Sequence, residues 1–117
     1  MPLITEEQVE LQCIEWFKEL GYQYKDGYEI APEGINSERD DFRQVILEER
    51  LKSALIRINT DIPNQTIQNS LPQILNPSIP GLLNCNREMH KWITKGLKIT
   101  FMEDNQEVGR QLKLIDF

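Results

Sequence analysis

The first thirty residues contain a strongly amphipathic segment, TEEQVELQCIEWFKEL. Its apolar residues recur at i, i+4, i+7, i+8 and i+11, the spacing of one helical face: Val9, Cys13, Trp16, Phe17 and Leu20. Thr5 with Gln8 has the sequence of a capping box, and Gly21 supplies a C-terminal stop. The pattern therefore predicts a helix, and the next stretch, YQYKDGYEI, predicts a short strand or an extended loop.

Three more helices are expected along the middle of the chain. Ser37 followed by Asp40 predicts a cap for a long helix in RDDFRQVILEERLKSALIRI. A third helix should run from about Asn64 to near Leu75, with Pro72 expected to kink or divide it. The fourth, LLNCNREMHKWITK, ends before a glycine.

The pattern then changes to alternation, which is typical of strands. In LKITFM apolar and polar residues alternate, EDNQEVG resembles a hairpin connection, and LKLIDF closes the chain as a second strand. Both faces of LKLIDF become apolar toward its end, as in a central strand. We therefore expect an α+β or mixed α/β fold with N-terminal helices and a terminal β-hairpin. Residues 1–117 are expected to form the beginning of a larger domain whose remaining strands lie elsewhere.

Composition limits the classes of function. The hydrophobic fraction of 39% and the charged fraction of 27% are those of an ordinary globular domain. A net charge of -6 disfavours a protein that grips DNA unaided. No apolar run is long enough to cross a membrane, and MPLITEEQVE lacks the features of a signal peptide, so we expect a cytoplasmic protein.

Three carboxylates are candidates for chemistry. Glu6 and Glu10 lie close to the apolar stripe of the first helix, about 60° and 100° from Val9 around its axis. Either they face a metal-binding cleft or, as the pattern alone favours, they lie at the rim and interact with the helix dipole. Asp116 shares a strand face with Leu112 and Leu114, so it is either an inward carboxylate with a partner or a turn residue at the strand's end.

Other reactive side chains favour structural interpretations. His90 is the one histidine, and a helix-surface or core position is expected. Cys13 and Cys85 lie outside any metal-binding spacing and are expected to be small buried hydrophobes. The tyrosines have little basic charge beside them, so packing is expected rather than base stacking: Tyr22, Tyr24 and Tyr28.

Several catalytic signatures are absent from the sequence. It has no phosphate loop, GxSxG or HExxH. None of its nineteen acidic residues is followed by a lysine two positions later, the spacing that lets a nuclease aim a carboxylate and a lysine at one phosphate. A complete small nuclease built from Glu6, Glu10 and Asp116 is therefore disfavoured.

As a whole, the sequence resembles the N-terminal part of the restriction (R) subunit of type I restriction-modification enzymes. The resemblance rests on TEEQVELQCIEWFKELGYQY, DDFRQVILEERLKSALIRIN, IPNQTIQNSL, NREMHKWITKGLKI and LKLIDF, in that order. It implies the start of a PD-(D/E)xK nuclease domain with a mixed sheet flanked by helices. The core Asp and the (D/E)xK pair would then follow LKLIDF.

The resemblance also implies roles, cofactors and partners. Glu10 matches the helix-borne acid of such a site, Glu6 is a possible accessory, and Asp116 lies just before the core without an assigned role. The full protein would use Mg²⁺ for cleavage and ATP for translocation, and would act on DNA with modification and specificity subunits. The alternative is a non-catalytic helical module that docks a protein partner through its apolar stripes.

Overall fold

The computed structural model describes residues 3–117, which form five α-helices followed by two β-strands. The elements are α1 (Glu6–Glu19), α2 (Gly27–Ile30), α3 (Glu48–Ile58), α4 (Asn64–Leu75), α5 (Leu82–Lys95), β1 (Leu97–Glu103) and β2 (Gln106–Leu112). The chain divides into two compact units, Met1–Gln44 and Val45–Phe117. The first unit contains α1 and α2, and the second contains the other helices and both strands.

Helix α1 has the ends that the sequence predicts. The Thr5 side chain accepts a hydrogen bond from the Gln8 backbone, and the Gln8 side chain accepts one from the Thr5 backbone. At the other end Gly21 has φ +95°, and the amides of Gly21 and Tyr22 donate to the carbonyls of Lys18 and Phe17. This pair of bonds is a Schellman motif, so both predicted caps are confirmed.

The segment YQYKDGYEI ends in a short helix, so no strand forms, and the predicted loop holds only for residues 22–26, which have no regular secondary structure. The Asp26 side chain accepts from the Tyr28 amide and caps the single turn of α2. The Asp-Gly pair, taken as a turn signal, therefore starts a helix because aspartate is a strong N-cap.

Helix α3 begins at Glu48, well after the predicted cap at Ser37. The Ser37 hydroxyl donates to the carbonyl of Arg39 instead of capping a helix. Downstream, the Asp41 carboxylate accepts from the Arg43 amide, and the Asp40 amide donates to a side-chain oxygen of Gln44. These local bonds satisfy backbone groups in a turn conformation and compete with the helix, so the prediction is wrong for this stretch.

Helices α4 and α5 form over the predicted residues. Helix α4 spans Asn64 to Leu75, as predicted, but it continues through Pro72, so the division expected there is wrong. Its buried isoleucines, Ile67 and Ile74, lie on both sides of the proline and hold the helix against the core. Helix α5 ends at Lys95, and Gly96 follows it with a φ of +87° as the expected glycine stop.

Strands β1 and β2 form an antiparallel hairpin with Leu97 opposite Leu112 and Glu103 opposite Gln106. The two residues between them, Asp104 and Asn105, have φ values of +52° and +63°, as a type I′ turn requires. The predicted α+β class with a terminal hairpin is confirmed. The connection is the two-residue turn rather than the whole EDNQEVG segment.

The predicted strand LKLIDF is wrong beyond its first residue. Strand β2 ends at Leu112, and Lys113 is held by a side chain instead of a strand. The Lys113 amide donates to Asn59 Oδ1 at 2.8 Å, and Asn59 Nδ2 donates to the Lys113 carbonyl at 2.9 Å. Asn59 therefore holds the chain just beyond the end of β2, and Phe117 is 90% exposed.

The buried hydrophobic core lies in the second unit. One face of the hairpin, with Leu97, Ile99 and Leu112, packs into it. The opposite face of β1 is exposed to solvent. The hairpin is therefore buried on one face only, unlike the two-sided burial that the sequence pattern predicted. The remaining core side chains come from the helices and their connections: Leu55, Ile62, Ile67, Ile74 and Trp92.

Candidate functional site

Glu6 and Glu10 lie one helical turn apart on α1, and both side chains are exposed. Glu6 is in the first turn, where a carboxylate interacts favourably with the helix dipole. Two apolar grooves lie along the helix, and Glu10 lines neither of them. One is lined by residues that include Val9 and Trp16, and the other by residues that include Ile14 and Phe17.

The apolar stripe of α1 is exposed rather than buried. None of the α1 residues is buried, and Val9, Trp16 and Phe17 are each exposed by more than half. The helix therefore presents an apolar surface with Glu10 beside it. A stripe of this width is expected to pack against another element.

Asp116 is exposed at the end of the second unit. It lines a depression of about 180 Å³ whose lining also includes Lys95 and Lys113. Because the strand ends at Leu112, the inward strand position predicted for Asp116 is wrong. The alternative of a turn residue at the strand's end is not borne out either, since Asp116 lies four residues beyond β2 in a stretch without regular structure.

The described residues do not assemble a metal site. Across residues 3–117, no group of three or more His, Cys, Asp or Glu side chains is placed to hold a metal ion. Mg²⁺ requires about six oxygen ligands in near-octahedral geometry. Glu6 and Glu10 offer carboxylates from one helix and belong to the first unit, while Asp116 belongs to the second. The residues present do not by themselves fit the ion.

The remaining candidates have structural surroundings. His90 is exposed on α5, in agreement with the helix-surface prediction. Cys13 and Cys85 are half-buried free thiols, less buried than expected.

The tyrosines differ from one another. Tyr22 meets Phe17 edge-on at 5.5 Å between ring centroids, and Lys18 Nζ lies 5.6 Å from the Tyr24 ring centroid. Packing is therefore confirmed for these two residues. It is wrong for Tyr28, which is 90% exposed.

A groove between α4 and β1 is a feature that the sequence analysis missed. Its volume is about 630 Å³, and five consecutive residues of β1, from Lys98 to Met102, form one wall. The opposite wall comes from α4 and consists of polar, uncharged side chains at helical spacing: Thr66, Asn69, Ser70 and Gln73. The signal in the sequence is the absence of any charged residue from NQTIQNSLPQIL.

Within residues 3–117, no helix has both the length and the apolar character needed to cross a membrane.

The fold and the candidate residues define an α+β polypeptide that has an acid-bearing amphipathic helix at its start and a hairpin at its end. The sequence matches the family described as type I restriction enzyme R protein N terminus over residues 4–117. The chain belongs to this family.

Two relatives are named as subunits of such enzymes. The chain is 31% identical over 109 residues to a protein of Methanocaldococcus jannaschii whose name gives it as a type I restriction enzyme MjaIXP endonuclease subunit. It is 19% identical over 115 residues to the type I restriction enzyme HindI endonuclease subunit of Haemophilus influenzae. The matches cover 93% and 98% of this chain but only 10% and 11% of the relatives. No solved structure matches the chain significantly.

Proposed function

We propose that residues 1–117 are the beginning of the nuclease domain of the R subunit of an ATP-dependent type I restriction-modification enzyme. The observation that carries the proposal is the family match, which extends over residues 4–117. The names of the two relatives, both endonuclease subunits, support it. The full subunit would cleave double-stranded DNA in the cytoplasm together with modification and specificity subunits.

The domain would have the PD-(D/E)xK fold, with a central mixed sheet flanked by helices. The hairpin supports this proposal, because an isolated pair of strands is marginally stable and gains from additional strands. The core Asp and the (D/E)xK pair would lie in the sequence that follows Phe117. This part of the proposal fails if the next hundred or so codons of the gene encode no Asp followed by a (D/E)xK strand.

The Mg²⁺ of such an enzyme would be held by those later carboxylates, since the described residues offer too few ligands. When bound, the ion activates water and stabilises charge on the cleaved phosphodiester. ATP would bind the translocase portion of the subunit. We therefore expect residues 1–117 alone to leave supercoiled plasmid intact in the presence of Mg²⁺.

Glu10 would be the helix-borne acid of the nuclease site and would orient groups around the metal ligands. Its exposure on α1 supports this role, because an exposed side chain can face a later part of the domain. Residues that act through metal ligands typically contribute a factor of about 10–100 to activity. Glu10→Gln in the full subunit should therefore slow plasmid cleavage by roughly 10–100-fold and leave ATP hydrolysis unchanged.

The matched control is Glu19→Gln, which removes the same charge from an exposed residue of the same helix. It should cleave plasmid at the unmodified rate. Equal cleavage rates for the two variants would contradict the role of Glu10. Parallel loss of ATP hydrolysis and cleavage in Glu10→Gln would instead indicate a folding defect.

The exposed stripe of α1 favours a second candidate function, a non-catalytic module that docks a protein partner. In this case Trp16→Ser, which removes an aromatic ring that is 57% exposed, would weaken assembly with the other subunits. The full subunit would also show no cleavage under any condition. Mg²⁺-dependent cleavage of DNA by the assembled enzyme would exclude this candidate.

A further inference from the structure

The edge of β1 that faces away from β2 has unpaired backbone groups. In a hairpin closed by a two-residue turn, the residues flanking the turn form a hydrogen-bonded pair, and such pairs alternate along the ladder. Glu103 and Gln106 flank the turn here. The backbone N–H and C=O groups of Lys98, Thr100 and Met102 consequently point away from β2.

This open edge forms one wall of the groove between α4 and β1. Five residues of β1 line the groove, which corresponds to a length of roughly 17 Å of strand. The volume of about 630 Å³ is comparable to that of a typical peptide or ligand cleft. The groove therefore has the dimensions of a short extended peptide segment lying alongside β1.

The chemistry of the groove favours a polypeptide over a nucleic acid. Among the residues that line it, Lys98 is the one with a charged side chain. Phosphate recognition requires clustered basic residues, which this set lacks. The opposite wall, formed by Thr66, Asn69 and Gln73 with their neighbour Ser70, provides hydroxyl and amide groups that both donate and accept hydrogen bonds.

The corresponding edge of β2 is closed at one end. Lys113 is the next residue whose backbone groups would point outward from the hairpin, and Asn59 already binds its N–H and its C=O. The end of α3 therefore occupies the position where a strand added to β2 would continue. The β1 edge is open over the whole stretch from Lys98 to Met102.

We propose that the β1 edge binds an extended strand from the part of the same polypeptide that follows Phe117, which makes β1 an inner strand of the completed sheet. The proposal rests on the proposed function, in which this chain is the beginning of a larger domain. The matched region makes up only 10% and 11% of the two relatives, so a relative has ample further sequence to supply such a strand. Strand addition to an exposed edge gives the main-chain hydrogen bonds that the groove leaves unmade.

Hydrogen–deuterium exchange at single-residue resolution tests the proposal directly. In the 117-residue chain the amides of Lys98, Thr100 and Met102 should exchange at the rate of open strand edges. In the full R subunit all three should exchange at least roughly tenfold more slowly, because they are hydrogen-bonded to the added strand. Unchanged exchange of these three amides in the full subunit would overturn the proposal.

A matched pair of proline variants supplies a second measurement. Thr100 and Gly109 lie opposite each other, and neither backbone N–H takes part in the hairpin ladder. Thr100→Pro and Gly109→Pro should therefore have similar effects on the thermal stability of the 117-residue chain. In the full subunit only Thr100→Pro should accelerate exchange at Lys98 and Met102, and equal effects of the two variants there would count against the added strand.

Two further outcomes separate this proposal from others. Protection of Thr100 in the 117-residue chain that grows with protein concentration would identify a second copy as the occupant and would overturn the proposal. DNA cleavage by the full subunit is measured in the same preparation. If the subunit cleaves DNA but the β1 amides are unprotected, the added strand is rejected and the nuclease assignment stands. If the amides are protected but no DNA is cleaved, the added strand is supported and the nuclease assignment is rejected.

Discussion

Among the described residues, Asn59 is the one buried polar residue, with 3% of its surface exposed. Its side-chain nitrogen donates to the carbonyls of Leu55 and Lys113, and its oxygen accepts from the Lys113 amide. One side chain thus lies at the end of α3, binds the backbone just beyond β2 and joins segments 54 residues apart in sequence. A buried amide is stable in this position because each bond that it lost from water has been replaced.

Asn59→Ala should lower the free energy of unfolding by about 2 kcal/mol, since it leaves partly buried backbone groups of Lys113 without partners. Urea denaturation measures the change. Asn76→Ala is the control, because Asn76 is also a helix C-cap but its side chain is exposed. A loss for Asn59→Ala no larger than that of the control would show that the bonds to Lys113 contribute little.

At the scale of elements, the connection between α5 and β1 depends on Gly96. Its φ is +87°, and a Cβ atom there would lie 2.9 Å from the Leu112 carbonyl oxygen. Gly96→Ala should destabilise the protein by about 2 kcal/mol, because an L-residue is strained at positive φ and the added methyl contacts backbone. Thermal unfolding followed by circular dichroism measures this effect.

Gly109→Ala is the opposite case, since nothing lies within 4 Å of its added Cβ. A glycine within a strand is destabilising relative to alanine, so this change should stabilise the hairpin by about 0.5 kcal/mol. Similar melting temperatures for the two variants would contradict the assigned role of Gly96.

The hairpin turn is the other element whose geometry makes a prediction. Asn105 has φ +63°, a conformation that glycine adopts without strain and alanine does not. Asn105→Gly should raise the free energy of unfolding by about 0.5 kcal/mol, and Asn105→Ala should lower it by about 1 kcal/mol. The opposite signs, measured by chemical denaturation, provide an internal control, and a shift of the same sign in both variants would argue against a type I′ turn.

For the molecule as a whole, the buried hydrophobic core lies in the unit Val45–Phe117, and α1 in the other unit has no buried residue. Leu55 is fully buried, so Leu55→Ala should cost about 2–5 kcal/mol through lost contacts and the cavity left behind. Leu82 is 80% exposed in the same unit, and Leu82→Ala should change stability by less than about 0.5 kcal/mol.

Tryptophan fluorescence measures the stability of this unit selectively. Trp92 is buried in the core, while Trp16 is 57% exposed on α1. In a Trp16→Phe background the emission of Trp92 reports the unfolding of Val45–Phe117 alone. If Leu55→Ala and Leu82→Ala lowered the free energy of unfolding equally in this assay, the buried hydrophobic core would not be what stabilises the unit.

Local sequence determined the elements whose ends are set by residues adjacent to them. The capping box at Thr5 and Gln8, the glycine stops at Gly21 and Gly96, and the change from helical to alternating pattern at Leu97 were all predicted correctly. Each of these signals works over four or five residues, because capping bonds and side-chain periodicity are themselves local.

The remaining features were decided by tertiary contacts or by competing local bonds. The segment just beyond β2 is held by Asn59, which lies 54 residues from its partner, and no local pattern in LKLIDF reveals that contact. The groove beside β1 likewise requires α4 to lie across from it. The acid-bearing helix could be predicted from the sequence. Whether other metal-binding side chains lie near Glu10 depends on which segments of the chain meet in space. The sequence by itself therefore determined α1, α4, α5 and the α+β class, while the tertiary structure decided how the segment after β2 is held and which strand edge is left open.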